Sequence, residues 1–293
     1  MYFVSGAAGH LGQSVLNHLL QTLQVPAAKI VAGTRSPEKL EAYAKQGVTI
    51  RKADFDDEDG LVKALAGVSR FLIISTDALD KPGKRLEQHT RAVKAAERAG
   101  VEHVLYTSIP KTETSAVLFA PDHLGTEKLI AAGKFKGWTI LRNNWYFENV
   151  FYAYPSALKS GSLYSAAGQG KLAHIARDDL GRAAATALAS DFTGKRTLTL
   201  GGAAEQTTEE VAAAIASATG TPVNVVHVPV EAIIQGLVQH GFPEPVAKVF
   251  ASFDTAISRG DLGGVTGDYK LLTGVEPLSF GNWLKANATA LKG

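Results

Sequence analysis

Short apolar runs alternate with amphipathic, Ala- and Lys-rich stretches through the first half of the chain, at a pitch of roughly 20 to 30 residues, the pattern of repeated βαβ units. Strands are expected at residues 2–5, 30–34, 49–52, 70–74, 103–107 and 139–142. The intervening helices are expected at 10–24, 37–46, 58–66, 84–99 and 123–132. Buried parallel strands are continuously apolar, and Phe71-Leu72-Ile73-Ile74 has that character. After Arg142 the texture changes. Residues 143–154 are rich in Asn and aromatics, and 155–170 are small and polar. A helix at 178–189, a strand at 196–200 and a helix at 208–218 follow, the last with Thr207 or Thr208 as N-cap and Gly220 as its stop. Two helices within 229–258, joined by Gly241-Phe242-Pro243, and an amphipathic helix at 280–291 complete the reading.

The pattern predicts an α/β protein. Its expected division is a dinucleotide-binding unit at 1–152, with returning segments near 171–203, and a lobe at 153–293. Composition narrows the function. The 293 residues carry a net charge of +2 and no basic run, which argues against a nucleic-acid partner. No apolar stretch reaches the ~20 residues needed to span a bilayer. The opening residues have no basic, apolar leader, so no targeting segment is expected and a cytosolic address fits. The absence of Cys removes disulfides, thiolate metal sites and Cys nucleophiles. The eight His show no metal-ligand spacing, and no Gly-x-Ser-x-Gly elbow occurs, so no metal and no serine hydrolase chemistry is expected.

Positive signals begin at Gly6, Ala7, Ala8, Gly9, His10, Leu11 and Gly12, a G-x-x-G-x-x-G turn directly after a strand and opening a helix. Gly6 permits the sharp turn, Gly9 lets backbone N–H groups approach a pyrophosphate, and Gly12 lets helix and sheet pack closely. At the end of the second strand stand Thr34, Arg35 and Ser36, with Lys39 one turn on and no acid before Glu38. An acidic residue there would grip ribose hydroxyls, whereas a guanidinium fork suits a 2′-phosphate. NADP(H) is therefore the expected cofactor.

The Tyr-x-x-x-Lys pair of most short-chain reductases is missing: none of the eight Tyr has Lys four residues on. His123 and Glu127 occupy the matching helix positions, on one helix face, and His123 is the candidate proton donor. A ketone reduced without a positioned acid becomes a strongly basic alkoxide. A quinone becomes a phenolate-like anion, whose conjugate acid has a pKa of roughly 10, so water could protonate it.

Five segments carry a family resemblance: residues 6–12, 34–39, 106–108, His123-x-x-x-Glu127-Lys128, and 141–149. Gly241-Phe-Pro-Glu-Pro245 and the stretch from Leu272 to Leu278 extend it nearly end to end. Together they resemble the NmrA-like atypical short-chain reductases, and within them the NADPH:quinone and triphenylmethane dye reductases. The resemblance implies a Rossmann-type doubly wound parallel sheet with a smaller, mostly helical C-terminal lobe and a cleft between. It implies that residues 6–11 hold the pyrophosphate, Arg35 the 2′-phosphate, and Ile74, Ser75 and Thr76 the adenosine and ribose. Thr107, Asn143 and Trp145 would border the nicotinamide, and Ser108, Tyr146, Phe147 and Asn149 the acceptor. Tyr146 and Phe147 are expected to face the cleft and Phe151 to turn away.

The expected activity is hydride transfer from NADPH to quinones or similar small conjugated acceptors. Two alternatives stay open: a broad carbonyl or imine reductase using His123 or water as acid, and a non-catalytic NADP(H) redox sensor. The sequence leaves room for a homodimer.

Overall fold

The computed structural model describes residues 1–78 and 81–292. Seven parallel strands form the central sheet, in the order β3-β2-β1-β4-β5-β6-β9. They are β1 (Tyr2–Val4), β2 (Ile30–Thr34), β3 (Thr49–Lys52), β4 (Arg70–Ile73), β5 (His103–Ser108), β6 (Gly137–Asn143) and β9 (Lys195–Leu200). The order reverses between β1 and β4, which opens a crevice at their carboxyl ends. Consecutive side chains on a strand point to opposite faces, so each strand feeds two cores. Val4, Leu72, Leu105 and Leu141 pack under α1 (His10–Asn17) and α7 (Arg177–Ala189). Phe3, Phe71, Val104 and Ile140 pack with α3 (Glu58–Ala64), α4 (Lys84–Arg98) and α5 (Ala120–Ala132). Alternating burial on both faces is the sandwich that a parallel sheet requires. The Ala-rich face of α7 lies hard against α1, where a Cβ on Gly181 would stand 2.0 Å from Ser14 Oγ.

The smaller lobe contains α6 (Val150–Ser160), β7 (Ser162–Ser165) paired parallel with β11 (Asn224–His227), and β8 (Lys171–Leu172) paired antiparallel with β10 (Gln206–Thr207). Around these pack α8 (Thr208–Thr219), α9 (Val230–Gln239), α10 (Glu244–Ser258) and α12 (Phe280–Leu291), while α11 (Asp268–Thr273) lies against α7 and β9. Thr207 and Glu210 form a reciprocal capping box on α8, which satisfies two of its free N-terminal donors.

Several boundaries differ from the sequence reading, each for a local reason. The first helix leaves α geometry at His18 and winds through a wider turn to Thr22. The helix at 37–46 is a tight 3-10 turn over Pro37–Leu40, then a short α2 (Glu41–Ala44). α5 starts three residues early because Pro121 sits in its first turn, where a missing N–H costs nothing. No helix or strand was expected between 143 and 170, where α6 runs through Pro155 and β7 follows.

Candidate active site

A crevice of about 600 Å3 opens along the carboxyl ends of β1, β2 and β4. Its floor is the glycine turn. Gly6 has φ +59°, a backbone that L side chains rarely adopt, and its carbonyl lies where any Cβ on Gly12 would stand, at 2.4 Å. Gly9 is the N-cap of α1 and supplies no side-chain cap, and the first turn of the helix holds no acid. Free N–H groups and the positive helix end therefore face the crevice, an arrangement suited to an anion. Two N–H groups of the turn are already taken: Ala7, its side chain fully buried, donates to the Gly33 carbonyl at 3.0 Å, and Gly9 to the Gly6 carbonyl at 2.9 Å.

Arg35 and Lys39 stand exposed at the mouth of this end, with no ion-pair partner among the described residues. Thr34, largely buried, fixes the bend by accepting the Ser36 N–H at 3.1 Å. Asp54 and Gln88 also line the crevice, and the buried Gln88 Oε1 has no hydrogen-bond partner. Along the wall, Ser5 Oγ receives the Ile74 N–H at 2.9 Å and Thr107 Oγ1 receives the Ser75 N–H at 2.9 Å. Thr107 thus stands behind the wall and positions Ser75; it does not line the crevice. Both backbone groups of Thr76 are held by α4, its N–H by His89 Nε2 at 3.1 Å and its carbonyl by Arg85.

The far end carries Tyr146 and Arg177; Asn143, at the tip of β6, is buried behind them and does not line the crevice. Neither amide atom of Asn143 has a hydrogen-bond partner among the described residues. Unpartnered buried amides are uncommon and costly, by roughly 1–3 kcal/mol. With the uncapped helix end and the unpaired cations, the crevice fits a dinucleotide carrying an extra phosphate.

Four further expected site residues fall elsewhere. Tyr146 has extended backbone and caps a 3-10 turn at Phe147–Asn149, so the side chains on either side of it point away from the crevice. Tyr146 faces the crevice; Trp145 turns to Phe253, at 4.1 Å between ring centroids. Phe147 turns into the smaller lobe's core, buried against His174, Phe280 and Trp283. The expectation that Tyr146 and Phe147 both face the cleft is corrected for Phe147. Asn149 lies on the following turn, outside the crevice lining. Ser108 is buried and donates to Glu127 Oε1 at 2.6 Å.

His123 is the larger correction. Its ring is 2% exposed and lies away from the crevice. Glu127 is not its partner; that carboxylate takes Arg142 through Nε at 3.0 Å and Nη2 at 2.6 Å. His123 Nε2 meets Arg85 Nη2 at 2.9 Å and Nδ1 meets the Tyr106 hydroxyl at 2.7 Å. A guanidinium only donates, so Nε2 is a bare acceptor and the single ring proton sits on Nδ1, given to Tyr106. Burial, then the charge of Arg85, hold the imidazole well below its ordinary pKa. His89, buried beside the same arginine, is pushed down to about 3 and stays a neutral acceptor for Thr76. The histidines of this network build the wall and have no proton to offer a ligand.

Sequence reasoning missed Asp54, Gln88 and Arg177. Arg177 reaches Tyr146 because Ile175 pairs with the 145–147 segment: Ile175 N–H donates to the Trp145 carbonyl and Phe147 N–H to the Ile175 carbonyl, both at 2.9 Å. No motif in the sequence signals that pairing.

The sequence profile of the NmrA-like family matches residues 2–262. The chain is 36% identical to quinone oxidoreductase 2 of Escherichia coli (strain K12) over 262 residues, covering 89% of this chain and 90% of that protein. The structure of an NADPH-dependent quinone oxidoreductase from Escherichia coli, complexed with NADPH, superposes with a TM-score of 0.91 at 34% identity and full coverage of both chains. Triphenylmethane reductase of Citrobacter sp., complexed with NADP(H), gives a TM-score of 0.87 at 33% identity, covering 98% of this chain and 99% of that one. The doubly wound sheet, its glycine turn and these matches agree: the chain belongs to the NmrA-like family.

Proposed function

We propose that the protein is an NADPH-dependent oxidoreductase that reduces quinones or related small conjugated acceptors. The observation that carries this reading is the crevice itself, which runs from an anion-binding end at Gly6, Gly9, Gly12, Arg35 and Lys39 to a polar, aromatic end at Tyr146 and Arg177. NADPH, when bound, supplies the hydride. Backbone N–H groups of the turn grip its pyrophosphate, and Arg35 with Lys39 holds the 2′-phosphate through charge-assisted contacts. The rigidly held Ile74–Thr76 wall keeps water from one side. An acceptor whose reduced form is a stabilised anion suits a site that lacks Tyr-x-x-x-Lys and whose candidate histidine is sealed in the wall. The names of the Escherichia coli and Citrobacter relatives support the same acceptor chemistry.

NADPH oxidation measured against quinones, triarylmethane dyes, ketones and imines tests the reading. Turnover is expected with quinones first. Turnover restricted to ketones or imines makes the protein a carbonyl or imine reductase. Tight NADPH binding with no turnover of any acceptor makes it a sensor.

A further inference from the structure

A phenol and a cation meet at the far end of the crevice although no helix carries them as a pair. The Arg177 guanidinium lies 5.4 Å above the Tyr146 ring centroid. Resting on the proposed reductase reading, we infer that Tyr146 is the proton donor to the acceptor's oxygen and that Arg177 is the positioning residue that supports its charge.

Three features of the structure lead here. First, the pair is rigidly assembled. Two backbone hydrogen bonds tie 145–147 to Ile175, and the Glu148 carboxylate receives the Arg177 N–H at 3.0 Å, closing the start of α7. The guanidinium is left with no ion pair among the described residues. Second, the orphaned Asn143 amide lies beside the Tyr146 hydroxyl, close enough to favour its phenolate yet without hydrogen-bond geometry to it. The amide atoms are sealed from the crevice, so the Tyr146 phenol is the group there that can donate to a ligand oxygen. Third, the charges around the phenol have a definite sense. Burial raises its pKa; Arg177 above the ring, and more weakly Arg85, favour the phenolate; Glu148 opposes them. His10 and Asp77 line the same crevice, while Asp178 is turned away onto Ser14 and His18. The phenol stays protonated at neutral pH, ready to donate.

The step balances simply. Hydride from NADPH adds to the acceptor, which is reduced while NADPH becomes NADP+. The Tyr146 O–H bond breaks as the acceptor's O–H bond forms. The phenolate left under Arg177 regains a proton from water in the crevice.

The test compares wild type, Tyr146→Phe, Arg177→Met and Arg177→Lys. Wild-type turnover is established first; its failure overturns the proposed function, not this assignment. Tyr146→Phe should lower kcat about 100-fold with a carbonyl acceptor and much less with a quinone, at unchanged NADPH affinity. Arg177→Met should move the alkaline fall of kcat/KM to higher pH, because losing the cation raises the phenol pKa, and Arg177→Lys should move it part of the way back. Near-ultraviolet titration of the cofactor-free protein should show one tyrosine ionising at higher pH in Arg177→Met. Unchanged kcat in Tyr146→Phe with every acceptor overturns the assignment. So does a loss of NADPH affinity in Arg177→Met that accounts for its loss of activity, since Arg177 would then be a phosphate ligand.

Discussion

The two ends of the crevice are built in different ways. The cofactor end is local: seven consecutive residues make the turn, and Arg35 and Lys39 follow a neighbouring strand. The acceptor end is assembled from β6, the start of α7 and a wall held by α4, residues up to about a hundred positions apart. A local site can be specified by backbone geometry alone, whereas an assembled one depends on the packing behind it. The acceptor end should therefore be the more sensitive to changes that unsettle the core.

Acid is the broadest way to break that contrast. His89, His123 and His174 are buried and neutral, with His89 pushed down to about 3 and His174 to about 4, in each case mainly by burial. Their folded pKa values lie below those of the unfolded chain, so the unfolded state binds more protons as pH falls. Their stabilisation is present above about pH 6.5 and is lost below it, at about 1.4 kcal/mol per pH unit for each histidine. Urea denaturation at pH 7 and pH 5 should show this loss. His123→Asn should flatten the slope; an unchanged slope in that variant contradicts the buried-neutral assignment.

Phe147→Ala comes next. It removes a ring from the core shared with Phe280 and Trp283 and should cost about 3–5 kcal/mol, read by denaturant titration. NADPH affinity should hold, while the Michaelis constant for acceptors rises through the loosened 145–147 segment. A loss of NADPH affinity as large as the acceptor effect would erase the distinction between the two ends. Gly12→Ala strikes the other end. Its Cβ would meet the Gly6 carbonyl at 2.4 Å, so a cost of about 1–3 kcal/mol is expected, together with weaker cofactor binding. Thermal melts with and without NADPH separate the two, because the stabilisation by NADPH should shrink more in Gly12→Ala than in Phe147→Ala.

The same contrast explains what was legible in the sequence. βαβ periodicity and the glycine turn are short-range signals, and the strands of the sheet stand within a residue or two of their expected places. The cofactor-end residues were readable because spacing along the chain sets their geometry. His123 was misread because helix spacing with Glu127 says nothing of Arg85 and Tyr106, which reach it from two other elements. Phe147 was misread because density of aromatics does not reveal which side of an extended segment faces the ligand. α6 was not expected, and it carries Pro155 inside it; the lobe's core, through Val150 and Tyr154, holds the helix together around that residue.

The smallest change tests the central claim most directly. Arg35 carries the proposed 2′-phosphate contact, and in that role its guanidinium meets a group that NADH lacks. Titration of wild type and Arg35→Ala with both cofactors should show NADPH affinity falling by about 10-fold or more, the worth of a charge-assisted contact of about 1.5–3 kcal/mol, with NADH affinity nearly unchanged. Equal losses for the two cofactors, or a wild type that prefers NADH, would contradict the account.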